Sequence, residues 1–361
     1  MFLIGNKELD IIEKERNSIV TPRVHLRDAT NPNNGRLKFS ALKLNIAIAR
    51  CILSKDLTNL DLLFESVSSF FRYQTIINTK NRILTLNKVN FELLRDFSQK
   101  TRIGELAQGI TYLFSQEHLK TPIVVDFEGF VRHKNYNAVI NGETPDFILQ
   151  KEANFNYSII ESKGCYASNN NSTKGKLKKA LDQCDNGKNI IDIALPSYSL
   201  TKSYGVCIKL HNEQDSNTSE IQFVDPEFNN ENKNFNLEII RYHYASWFLL
   251  MGNLRIYEKL LGQELLDYKD LENSYSVNID NNSFVMFDLF PNRIEFPFID
   301  FWFYLHNMNR IRTYGIRKDV LNVLMGKSKK LPILKFKDNN GYYEREYELF
   351  ADGTIINDTQ Q

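Results

Sequence analysis

The chain has almost no net charge: 45 Lys and Arg against 44 Asp and Glu over 361 residues leave +1. No global field draws it to nucleic acid or to an acidic membrane, so any polyanion site must come from a local basic patch. Cysteine is sparse and scattered, with Cys51, Cys165, Cys184 and Cys207 forming no C-x-x-C pair. That pattern argues against a disulfide framework and a thiolate zinc site, and it fits a reducing, cytoplasmic setting. Long apolar runs are missing too. The longest, around Ala245 to Met251, is much too short to span a bilayer. The opening Met1-Phe2-Leu3-Ile4-Gly5-Asn6-Lys7-Glu8 turns polar too soon for a signal peptide. The six histidines show no metal-ligand spacing such as H-x-x-x-H. These absences predict a soluble intracellular protein with no membrane contact.

What is present divides into three regions without an internal repeat. Residues 1–95 read as mainly helical: Leu42, Ile46, Ala49 and Leu53 recur at helix spacing, and Leu60 to Phe71 continues in that style. The alternation of Leu42, Leu44, Ile46 and Ile48 leaves a short strand open, and Asn31-Pro32-Asn33-Asn34-Gly35 reads as a loop. Residues 96–265 mix periods. A helix over Arg102 to Gln116 is followed by extended runs at Ile123–Phe130, Asp146–Leu149 and Tyr157–Lys163. A basic helix from Lys174 to Cys184, two further strands (Tyr204–Leu210, Glu220–Val224) and a long helix over Leu237–Leu261 complete an α/β core with helices on a central sheet. Residues 266–361 are rich in aromatics (Phe284, Phe287, Phe290, Phe296, Phe298, Phe301, Trp302, Phe303), most simply read as core. They add a helix near Asp319–Met325 and an alternating strand at Gly341–Leu349, an α+β pattern.

Two neighbouring stretches carry chemistry: Pro145-Asp146-Phe147-Ile148-Leu149 and Tyr157-Ser158-Ile159-Ile160-Glu161-Ser162-Lys163-Gly164. Strand alternation puts Glu161 and Lys163 on one face, about 6.5–7 Å apart along the strand. A hairpin through Lys151 to Asn156 would bring Asp146 beside Glu161. Two carboxylates that close repel, and one stays protonated unless a cation neutralises them. Mg²⁺ suits such a pair, since it uses one or two protein carboxylates together with substrate phosphate. A bound ion of this kind lowers the pKa of a water and assists in-line displacement at phosphorus, and a neighbouring lysine can steady the charge that develops.

Pro145-Asp146, fourteen intervening residues and Glu161-Ser162-Lys163 resemble the PD-(D/E)xK nuclease signature, a superfamily of restriction endonucleases, RecB-type exonucleases and phage-defence effectors. The resemblance covers roughly residues 100 to 225 and implies a restriction-endonuclease-like core, a central mixed sheet flanked by helices. It implies that Asp146 and Glu161 bind Mg²⁺, with Mn²⁺ able to substitute, and that the Ser162 carbonyl is a third ligand. Lys163 would handle the attacking water. Glu105, on the helix that precedes the motif strands, would be an outer metal ligand or stand one layer behind. RecB-like members carry a glutamine on the next helix with a tyrosine four residues on; Gln183 stands near the first position, but Gly187 takes the second.

Each of these residues also has a plain structural reading: Asp146 as a turn residue after proline, Glu161 and Lys163 as a charged strand end, Glu105 as an exposed helix position. Asp126 and Glu128 are rival carboxylates on what reads as an adjacent strand, but no lysine accompanies them. The run Lys174, Lys176, Lys178, Lys179 is by default a solvated helix face; its place after the Glu-x-Lys strand suggests phosphate contacts. Arg310 to Lys318 is a second basic candidate. Gly326-Lys327-Ser328 is no phosphate-binding loop, because Leu321 stands where its first glycine should be. His243 reads as a packed helix residue. The combined expectation is a Mg²⁺-dependent nuclease acting on DNA, or alternatively RNA, as a restriction enzyme or anti-phage effector. A homodimer or a partner subunit of a defence system fits either. The competing expectation is a non-catalytic nucleic-acid-binding or scaffold subunit that keeps the fold.

Overall fold

The computed structural model describes residues 6–14, 33–52, 73, 75–166, 170–225, 234–279, 281–288, 311–328, 331 and 347–358. By packing, the described residues up to Ile239 form one unit and those from Ile240 onward a second.

The first unit is built on a seven-stranded mixed sheet. In chain order its elements are β1 (Asn6–Glu13), β2 (Asn33–Ser40), α1 (Ala41–Ile52), the short α2 (Lys88–Glu92) and α3 (Asp96–Glu117). Then come β3 (Ile123–Asp126), α4 (Phe127–Lys134), β4 (Phe147–Gln150), β5 (Asn156–Tyr166), α5 (Asn170–Ala194), β6 (Ser199–Leu210) and β7 (Glu220–Val224). The strand order is β2-β1-β7-β6-β5-β4-β3. β3, β4 and β5 form an antiparallel meander, and β6 returns parallel to β5 after the long α5 crossover, a connection that parallel pairing requires. β7 pairs antiparallel with β6 and parallel with β1.

The two faces of β5 explain its sequence. The even positions meet α3: the Ser162 hydroxyl lies 2.8 Å from that of Thr111. At Gly164 the helix comes so close that a Cβ would stand 2.5 Å from Ile103 Cγ2 and 2.7 Å from its carbonyl oxygen. The odd positions meet α5, where Cys165 and Cys207 pack with Leu177, Leu181 and Val224. A strand covered on both faces reads as a near-continuous apolar run, which is why Glu161, 2% exposed, stands out.

Two expectations change. The first 95 residues are not mainly helical where described: β1 and β2 join the central sheet. β1 pairs in sequence-distant register with β7, Ile11 opposite Ile221, and local periodicity carries no trace of such a pairing. Leu60–Phe71 lies outside the described residues. The Ile123–Phe130 run is strand only as far as Asp126. That residue turns the chain into α4 as its N-cap, its side chain accepting from the Gly129 amide. Glu128 in the first turn and Arg132, His133 and Lys134 in the last complement the helix dipole. Asp126 and Glu128 therefore do not share a strand face.

The second unit holds α6 (Glu238–Leu250, from its third residue on), α7 (Leu254–Leu261), a 3-10 turn (Tyr268–Leu271), β8 (Ser274–Ile279), β9 (Asn282–Asp288), β10 (Ile311–Arg317), α8 (Lys318–Leu324), β11 (Tyr347–Leu349) and β12 (Thr354–Asp358). Its five-stranded antiparallel sheet runs β11-β12-β10-β9-β8. Phe284 and Phe287 are core, as expected; Phe290, Phe296, Phe298, Phe301, Trp302 and Phe303 lie outside the described residues, as does Gly341–Glu346. His243 is a packed residue: its Nε2 lies 2.8 Å from Asp352 Oδ2, both side chains fully buried. Among the described residues no helix is long and apolar enough to cross a membrane.

Candidate active site

β4 and β5 pair with Phe147 opposite Ile160 and Ile148 opposite Ile159. Continuing that register by one residue sets Asp146 opposite Glu161. β4 ends at Phe147, and the Asp146 side chain takes over part of the ladder: its Oδ2 accepts from the Ser162 amide at 2.9 Å. Its Oδ1 accepts from Gln108 Nε2 at 2.8 Å. One N–H on each oxygen fixes the plane of the carboxylate.

Glu161 and Lys163 share the α5 face, and Lys163 Nζ donates to Glu161 Oε1 at 2.5 Å. The other oxygen, Oε2, is buried with no hydrogen-bond partner. Burial first, and the Asp146 charge second, push the Glu161 pKa up from 4.5 to about 8; the Lys163 ammonium opposes this without cancelling it. Asp146 is also raised, by burial, although Gln108, Ser162 and Lys163 all pull it down. Asp126, exposed at the end of β3, accepts from the Gly129 amide with its side chain as the N-cap of α4. Two carboxyl groups held above their ordinary range mark a place short of positive charge.

The loop delivering Asp146 is strapped onto α5. Gln183 Nε2 donates to the Thr144 carbonyl at 3.2 Å. Asn186 Nδ2 donates to the carbonyls of Asn141 and Glu143 at 2.9 and 3.0 Å. Lys179 pairs with Glu143 at 2.7 Å. Pro145 lies on Gly187, where an added Cβ would stand 2.5 Å from Pro145 Cγ and Cδ. The position that departs from the RecB-like pattern is thus one where this chain has no room for a side chain. Gln183 is 8% exposed, and its Oε1 is buried without a hydrogen-bond partner.

Other expected residues have partners of their own. Glu105 Oε2 accepts from the Tyr73 hydroxyl and from Arg102 Nη1 at 3.1 Å. The residue of α3 whose side chain bonds to Asp146 is Gln108, three positions further on; the spacing from Glu105 was the signal that could have found it. Ser162 donates its amide to Asp146, and its hydroxyl lies within hydrogen-bond distance of that of Thr111. Of the basic run, Lys176 turns back to the Gly164 carbonyl and Lys179 pairs with Glu143, while Lys174 and Lys178 are exposed. In the second basic stretch Arg317 grips Asp319, and Arg310 lies outside the described residues.

A hard divalent cation suits these donors. Glu161 Oε2 is buried without a hydrogen-bond partner at ordinary distance, although the Asp146 amide is near enough to help pull the Glu161 pKa down; each Asp146 oxygen receives one protein N–H, leaving a lone pair for a cation. Among the described residues no group of three or more His, Cys, Asp or Glu side chains is placed to hold a metal, so the protein's side-chain contribution would be two carboxylates. Compared with protein-family models, with curated proteins and with solved structures, the chain matches none.

Proposed function

We propose that the first unit is a Mg²⁺-dependent nuclease that hydrolyses phosphodiester bonds of DNA, in the manner of PD-(D/E)xK enzymes, with a role in restriction or anti-phage defence. The observation that carries the reading is Asp146 set opposite Glu161, with Lys163 on one Glu161 oxygen and the other buried and unsatisfied. The order of elements supports it: a helix, then three antiparallel strands with the short α4 between the first two, a second long helix, and a strand parallel to the third.

Asp146, Glu161 and the Ser162 carbonyl would hold the ion, which when bound supplies an acidified water and a counter-charge at phosphorus. Gln108 and the Ser162 amide keep the Asp146 carboxylate from rotating away. The Lys163 side chain, 22% exposed, can reach a substrate phosphate and steady negative charge as the bond to phosphorus forms. Lys174 and Lys178 supply cations for the phosphate backbone.

The test is cleavage of plasmid and linear duplex DNA with Mg²⁺ or Mn²⁺ by wild type, Asp146→Ala and Lys163→Ala. Cutting by wild type that both substitutions abolish, with folding intact, is the expected result. Cutting that survives both would place the chemistry elsewhere. No cutting under any condition would favour a non-catalytic scaffold, or an enzyme silent until a second subunit arrives.

A further inference from the structure

We infer that Gln108 is a positioning residue for metal binding, acting through the Asp146 carboxylate; the inference rests on the nuclease reading of that site. Asp146 stands just before β4, where its carbonyl still accepts from the Phe127 amide at 3.0 Å but its carboxylate must be oriented by other groups. Two N–H groups do so, the Ser162 amide at 2.9 Å and Gln108 Nε2 at 2.8 Å. Of these only Gln108 is a side chain, and thus the only one of the two that substitution can remove.

The anchoring of α3 makes the contact specific. On one side of Gln108, Ile103 and Ala107 press on Gly164 of β5, so closely that a Cβ there would stand 2.5 Å from Ile103 Cγ2 and 3.1 Å from the Ala107 methyl. On the other side, Thr111 bonds to Ser162 at 2.8 Å. The helix is thereby pinned to β5 before and after Gln108, in register with the residues that flank Glu161. Gln108 is half-buried, so its amide has water as an alternative partner, yet it is held on the Asp146 carboxylate. The contact makes sense as orientation: it occupies one lone pair of Oδ1 and directs the other. Groups that orient a ligating carboxylate in this way typically contribute about 10- to 100-fold in metal affinity.

The experiment is Mn²⁺ binding to the full chain, followed by the electron paramagnetic resonance signal of free Mn²⁺, which needs no substrate and no turnover. Wild type is compared with Gln108→Met, which keeps length and loses the donor, and with Gln108→Asn, which keeps the amide but is too short to reach. Both variants should bind Mn²⁺ about tenfold more weakly or worse, with metal-free melting temperatures close to wild type. A merely structural role would lower the melting temperature and leave the affinity of the folded protein unchanged. Wild-type affinity in a folded variant of either kind overturns the inference and leaves the nuclease reading standing. Absence of Mn²⁺ binding by wild type overturns both.

Discussion

Glu161→Gln in metal-free protein gives a direct measure of how much positive charge the site lacks. In the unfolded chain this carboxyl titrates near 4.5, and in the folded protein near 8. Between those values the folded state holds a proton that the unfolded state has released, so stability falls as pH rises. The contribution is complete below pH 4.5 and is lost by the time pH passes about 8. At about 1.4 kcal/mol for each pH unit, the window from 4.5 to about 8 corresponds to a ceiling of roughly 5 kcal/mol. Water entering a strained site relaxes part of this, so a loss of about 2–3 kcal/mol is expected. Glutamine has the same shape and no titration. In the presence of a chelator, Glu161→Gln should therefore show a flatter profile and be more stable than wild type at pH 8. Excess Mg²⁺ should reverse the ranking, because only wild type gains from the ion.

The assay must report on the right unit. Both tryptophans, Trp247 and Trp302, come after Ile239 in the chain, so intrinsic fluorescence follows the second unit. Hydrogen exchange of peptides from β5, measured across urea concentrations at pH 5 to 8.5, reads the first. Parallel profiles for wild type and variant over that range would refute the reasoning, since they would mean that Glu161 is charged at ordinary cost.

Saturating Mn²⁺ at about 100 times its Kd should stabilise wild type by about 2.7 kcal/mol and leave Asp146→Ala unmoved; an equal shift in both proteins would show that the ion binds elsewhere. Gly187→Ala should cost about 1–3 kcal/mol through overpacking against Pro145, and it should reduce Mg²⁺-dependent cleavage more than stability, because Pro145 carries Asp146. Unchanged melting and unchanged cleavage would contradict the close approach. His243→Phe removes the buried 2.8 Å bond to Asp352 and should destabilise the second unit by about 1–3 kcal/mol. The readout is the urea midpoint of Trp247 fluorescence in a Trp302→Phe background, and an unshifted midpoint would sink the prediction.

The parts of the site visible in the sequence are those in which local rules dominate. Alternation alone puts Glu161 and Lys163 on one face, and the short connection between β4 and β5 leaves few registers, one of which sets Asp146 opposite Glu161. Asp126 misled because a strand that ends in an N-cap looks like a longer strand: Val-Asp-Phe-Glu alternates whether or not the chain turns helical. The fold beyond the meander was less legible for a different reason. Pairing β1 with β7 brings together residues about two hundred positions apart, and a strand edge carries no code for such a distant mate. Gln108 was hidden by the same kind of distance. Its chemistry is ordinary on a helix, and it acquires a role only once α3 is pinned at Gly164 and Ser162. Gly187 shows the opposite case: the side chain it lacks, relative to the resemblance, would meet the Pro145 ring beside Asp146. A motif residue is thus legible when its neighbours in sequence set its geometry, and illegible when its geometry is set by another element packing against it.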